Sequence, residues 1–139
     1  MEVREILAEG ELAVWEDLAE MIAAKHEIEV LQQPETCMVM MRAIDSVGHA
    51  PFNLGEVLMT EATVSIGNVM GFGFVIEEDP VRALCIAVID AALAANVAEE
   101  KDIMRAIADE EQRIKERRQK EEALVAATRV HFAIMEDKK

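Results

Sequence analysis

One stretch, Asp79 to Asn96 (DPVRALCIAVIDAALAAN), constrains the fold more than any other part of the chain. Between Arg82 and Asn96 its only polar side chain is Asp90. An amphipathic surface helix keeps one wet face, whereas a helix that is apolar almost all round must be covered on most sides. Asp79 is placed to cap the first turn, since its carboxylate can accept hydrogen bonds from the orphan amides there. Pro80 follows at the first helical position, where its missing N–H costs nothing. The apolar run is shorter than the roughly 20 residues that cross a bilayer, and Asp90 interrupts it. The spacing therefore predicts a core helix over 79–96, with a sheet against one side and further structure against the other.

A chain of 139 residues is long enough to bury one core and short enough to be one domain. Its formal charge of −14 argues against nucleic-acid binding, which needs cations for the phosphates. The same charge suits a soluble protein, or one that docks on a basic partner. Cys37 and Cys85 both lie in apolar segments, with no secretory signal and no metal-type spacing. They are expected to be reduced core residues of a cytoplasmic protein. The nine methionines are read as core filling in preference to an adaptable binding surface.

Taken in order, residues 3–24 have helical spacing, with Gly10 separating a first turn from a helix over Glu11–Ala24. Residues 28–76 read as sheet. Ile28–Leu31 is a short strand that stops before Pro34, and Thr36–Ile44, apolar on both faces, is an internal strand. Gly48–Gly55 is a loop, and Glu56–Ile66 alternates as a strand. Gly67-Asn68 is a two-residue turn that returns the chain into Val69–Ile76. Gly71 and Gly73 share one face of that strand and leave room for a helix or a ligand to approach the backbone. Residues 99–125 form a charged helix, with Glu111–Lys115 and Glu116–Lys120 spaced for ion pairs. The alternation of Thr128–Ile134 predicts a closing strand. The expected fold is α+β: a mostly antiparallel sheet of about four to five strands, with helices packed largely on one face.

Chemistry-bearing constellations are sparse. There is no nucleophile elbow, phosphate loop, paired-cysteine zinc site or HExxH sequence. His49, in a loop with Asn53 and Glu56, is the one histidine that invites a functional reading. Asp90 must be paired or protonated inside its apolar helix. A structural acid bonded to a backbone amide, a hydroxyl or Arg129 is favoured over a functional one. The run Arg113, Lys115, Arg117, Arg118, Lys120 could hold a polyphosphate, but a solvated face laced with ion pairs is the stronger reading.

Several segments together resemble one family. These are Pro34-Glu35-Thr36, PFNLGEVLMT over Pro51–Thr60, the AxxDA pattern ending in Asp90-Ala91, and Ala127-Thr128-Arg129-Val130-His131-Phe132. Their order and spacing resemble the phosphonate-metabolism family PhnG, the G subunit of the carbon–phosphorus lyase system. FNLGE is the most specific piece. Two departures stand out. Family members usually carry Arg-Cys after the motif threonine, where this chain has Glu61-Ala62. They also usually carry a Gly-Arg-Asp type connection before the core helix, where this chain has Glu77-Glu78-Asp79.

The resemblance implies a subunit that acts with the H, I and L subunits to make alpha-D-ribose 1-methylphosphonate 5-triphosphate. In that reaction methylphosphonate displaces adenine from ATP, and a J subunit later cleaves the carbon–phosphorus bond. The complex uses ATP and Mg2+, and no cofactor is expected on this chain itself. The motif positions carried over as binding residues are Phe52, Asn53, Gly55, Glu56, Thr60, Asp90 and Arg129, with no catalytic residue. Neither nucleic acid nor membrane is expected as a partner, and the isolated chain is expected to form a homodimer by exchanging its C-terminal elements. Two alternatives stay open: an enzyme in its own right, and a stand-alone oligomeric domain that binds a nucleotide or phosphonate on the glycine face.

Overall fold

The structure, a computed structural model, describes residues 1–137, with side chains through Arg129. Its elements run α1 (Val3–Glu9), α2 (Leu12–Lys25), β1 (Ile28–Ile44), β2 (Pro51–Ile66), β3 (Val69–Ile76), α3 (Pro80–Ala94) and α4 (Glu100–Asp137). The three strands form an antiparallel sheet in the order β1-β2-β3.

The core helix forms as its ends dictate. The Asp79 carboxylate accepts the Arg82 N–H at 3.2 Å, Pro80 opens the helix, and Asn96 ends it in the left-handed region at φ 53°. Ala83, Ala87 and Ala91, spaced one turn apart, are fully buried against β3. Gly71 and Gly73 face them, and any methyl added at either glycine would collide with the helix backbone. A helix occupies the face that the sequence left open to helix or ligand. Behind α3 packs α2 through Trp15, Leu18 and Ile22, and α4 joins the same cluster through Ile103, Ile107 and Ile114. Buried Glu110 of α4 accepts the Glu11 N–H at 3.0 Å and pairs with Arg113, which ties the start of α2 to α4.

The turn at Gly67-Asn68 is as expected. Ile66 pairs with Val69, and Gly67 has φ 61°, which a type II′ turn requires at its first central position. Five expectations need correction. The sheet has three strands, not four to five. Pro34 does not end a strand: β1 runs past it with register irregularities on both sides of Gln32, as an edge strand allows. Thr36–Ile44 is therefore an edge, not an internal strand. The loop is also shorter, since strand resumes at Pro51 and takes in most of Gly48–Gly55.

The fifth correction is the closing strand. Residues 128–134 continue α4, which runs to Asp137. No Gly or Pro lies between Glu100 and Asp137. Extending a helix already nucleated costs little, whereas a new strand would need a sheet edge to pair with.

Candidate functional site

From Cys37 onward β1 and β2 leave the helices behind. They continue as a two-stranded arm from the pair Met38–Leu58, just beyond the last β3 pairing at Met59, to the pair Ile44–Pro51. Its tip is held by Asp45, whose backbone carbonyl accepts the His49 N–H at 2.9 Å and whose side chain accepts the Val47 N–H at 3.0 Å. Thr36 to Met59 contains only Arg42, Asp45 and Glu56 as charged residues, so the arm is nearly neutral on a protein of charge −14. Alternation places Met38, Met40 and Leu58 on the helix side, and Val39, Val57 and Met41 on the other. Met38 is 57% exposed, Phe52 46% and Leu54 61%. Both faces of the arm are apolar and neither is covered, the pattern that marks a surface for another protein.

The sequence misread this surface because a strand apolar on both faces normally lies inside its own domain. The methionines held the missing signal. Met1, Met38, Met40, Met41, Met70 and Met104 are all exposed, and Met21 and Met59 are only half-buried. Exposed, flexible thioethers form an adaptable contact surface, not core filler.

The family-motif residues separate into different roles. Phe52, Asn53, Gly55 and Glu56 lie on the arm. Met41 faces Gly55 and Arg42 faces Asn53, so Leu54 is left unpaired in a bulge. Gly55 at φ 134° supplies the backbone conformation that this bulge uses. Thr60 is buried elsewhere, at the base of the arm. Its hydroxyl donates to the Glu77 carbonyl at 2.7 Å and accepts the Asp79 N–H at 3.0 Å, clamping the bend between β3 and α3. Glu77 in that bend has φ 83°, a conformation that favours glycine.

Asp90 accepts the Phe72 N–H at 2.9 Å, on the outer strand β3. It is a structural acid on a backbone amide, as the favoured reading expects, and it covers a donor that an edge strand would otherwise present. Arg129 is exposed on α4, beside Arg118, Glu121 and Glu122. The basic run is largely engaged: Arg113 pairs with Glu110, Lys115 with Glu111 at 3.1 Å, and Arg118 with Glu9. The ion-pair reading therefore describes it. Of the seven positions, four meet on the arm, and Thr60, Asp90 and Arg129 lie apart.

The sequence also gave no hint of a pairing between His26, which ends α2, and Glu99, just before α4. His26 Nε2 lies 2.7 Å from Glu99 Oε2, with Lys25 Nζ 3.9 Å from the other oxygen. The hydrogen bond from His26, then Glu99's own backbone amide, hold the Glu99 carboxyl below the usual value of 4.5. Beside it opens a cleft of about 750 Å³, lined by His26, Glu27, Glu29, Ser65 and Val97. Cys85 is buried under α3's apolar face, and burial pushes its thiol up to about 11, keeping it protonated at neutral pH. Among the described residues, no group of three or more His, Cys, Asp and Glu side chains is placed to hold a metal ion, and no helix is long and apolar enough to cross a membrane.

Fold and site together define a small α+β protein whose distinctive surface is an apolar arm and not a pocket of reactive groups. A family model described as "Phosphonate metabolism protein PhnG" matches residues 1–136, and the chain belongs to that family. It is also similar to the alpha-D-ribose 1-methylphosphonate 5-triphosphate synthase subunit PhnG of Rhizobium meliloti (strain 1021). The two are 37% identical over 134 residues, which cover 91% of this chain and 79% of the relative.

Proposed function

We propose that this chain is an accessory subunit of alpha-D-ribose 1-methylphosphonate 5-triphosphate synthase, working in the cytoplasm. It supports displacement of adenine from ATP by methylphosphonate during phosphonate degradation. Family membership supplies the reaction, and the uncovered apolar arm is the observation that carries the subunit role. The arm binds the unlike subunits of the H, I, J and L types, and ATP with Mg2+ is handled by the assembled complex. Asn53, Gly55 and Glu56 shape and orient the arm's bulge, and Phe52 is its anchor. An exposed aromatic on a presented strand is the kind of side chain that concentrates binding energy in an interface. In isolation the chain pairs with a second copy. The alternative of a stand-alone ligand-binding domain rested on the glycine face, which α3 fills.

Co-expression with the neighbouring subunits tests this reading. The wild-type chain is expected to co-purify with the nucleosidase subunit. Phe52→Ala should weaken that association by about 30-fold or more while leaving the chain's own unfolding midpoint within measurement error. Unchanged co-purification of Phe52→Ala, and of a second variant, Leu54→Asp, would remove the arm from the interface.

A further inference from the structure

A strand edge with bare N–H and C=O groups recruits another strand unless something blunts it. This protein blunts its edges in three places. On β3 the Asp90 carboxylate takes the outward Phe72 N–H. The first half of β1 has register irregularities on both sides of Gln32, and Pro34 there has no N–H to offer. Along the arm, the outer edge of β2 is closed at its base by the Glu77 N–H on the Leu58 carbonyl at 2.8 Å. Further out it is broken by the bulge at Leu54.

Thr36–Met41 of β1 has none of these devices. It contains no Pro, no Gly and no charged residue, and among the described residues only β2 pairs with it. The bond from Glu77 fixes which way its backbone points. Leu58 turns its carbonyl away from β1, so its partner Met38 turns its own N–H and C=O away from β2. The register is regular from Thr36–Thr60 to Met41–Gly55, so Thr36 and Met40 face outward with Met38. Three N–H and three C=O groups are thus held out along about 13 Å of edge. A two-stranded ribbon is marginal in water and becomes stable with a third strand or with cover on a face.

We infer that this edge receives an extended strand from an unlike subunit, which pairs with β1 and makes the arm three-stranded. This mode of binding rests on the subunit reading above and specifies how the arm binds. Main-chain hydrogen bonds form along the edge, and side-chain contacts form on the two faces. The edge is continuous with the contact surface already described, since Phe52 pairs with Ala43 of the same β1 strand. The incoming strand is uncharged and apolar on both sides. Its neighbours are Met38 and Met40 on one face and Cys37, Val39 and Met41 on the other.

Co-expression with the nucleosidase subunit, followed by amide hydrogen exchange, tests strand addition. The Met38 and Met40 amides should exchange freely in the isolated chain and about 100-fold more slowly, or slower still, in the complex. Met40→Pro removes one outward donor without touching a bond to β2, and an edge position tolerates proline. It should weaken co-purification about 10-fold or more, whereas Met40→Leu, which keeps the amide, should stay within about 3-fold. Circular dichroism checks that Met40→Pro folds; if it does not, amide exchange in the wild-type complex decides alone. Met38 and Met40 amides that exchange as fast in the complex would overturn strand addition and leave the subunit reading intact. So would a folded Met40→Pro that binds like the wild type while Phe52→Ala does not. A homodimer of the isolated chain that Met40→Pro dissolves would give the edge to a second copy and overturn the proposal. Failure of the wild type to co-purify would instead overturn the subunit reading itself.

Discussion

Gly73→Ala probes the contact on which the fold depends. A methyl at Gly73 would fall inside the van der Waals envelope of the Ala83 carbonyl oxygen and 2.9 Å from the Ala87 nitrogen. Carbon and its neighbours pack at about 3.5–4.0 Å, so α3 would have to retreat by on the order of 1 Å. Both obstructing atoms belong to helix backbone, and no side chain can swing aside. A gap of that size forfeits a quarter to a half of the dispersion attraction along the seam. Overpacking usually costs about 1–3 kcal/mol, and a backbone-to-backbone clash belongs at the top of that range. We expect a loss of about 3 kcal/mol, corresponding to a fall in Tm of roughly 10 °C for a domain of this size. Urea unfolding followed by circular dichroism measures it. Gly48→Ala, at an exposed turn where only a carboxylate oxygen of Asp45 lies near, at 3.3 Å, is the control and should stay within about 0.5 kcal/mol. If Gly73→Ala unfolds within 1 kcal/mol of the wild type, on the order of the usual single-mutant cost, α3 does not pack on the glycine face as described.

Three further outcomes follow from the same geometry. Glu77→Gly should stabilise the protein by about 1 kcal/mol, because relief of the positive φ outweighs glycine's entropy in the unfolded chain; an unchanged or lowered urea midpoint would contradict the strain. Asp90→Ala should cost about 1–2 kcal/mol by leaving the Phe72 amide without its acceptor, and Asp90→Asn less, since it keeps a carbonyl oxygen. Equal and negligible losses would show that the bond is not made. The Glu99 carboxyl, followed by NMR, should titrate below 4.5 and move up in His26→Ala. Since folding depresses that carboxyl, its contribution to stability is present above the unfolded value near 4.5 and is lost as pH falls through the folded one.

What was legible in the sequence is what local chemistry dictates. Asp79-Pro80 starts α3, Gly67-Asn68 turns the chain, and Gly71 and Gly73 announce a close approach to β3, because each requirement is met within a few residues. Thr60 and Asp90 were picked out as motif positions, yet only the three-dimensional placement shows one clamping a bend and the other accepting a strand amide. The arm was misplaced for a different reason. An apolar run such as CMVMM demands cover, but its pattern cannot say whether its own chain or another supplies it. The invented closing strand has another cause: TRVHFAI alternates convincingly, but the helix before it meets no Gly or Pro and simply continues.

The central claim, that this chain serves an assembly and is no enzyme alone, is tested most directly by separating the products of ATP and methylphosphonate mixtures. The mixtures are incubated with this chain alone, with the other synthase subunits alone, and with all of them together. The account predicts no adenine from the isolated chain, and alpha-D-ribose 1-methylphosphonate 5-triphosphate only when this chain joins the others. Adenine released by the contaminant-free chain alone, or full synthesis by the other subunits without it, would contradict the account.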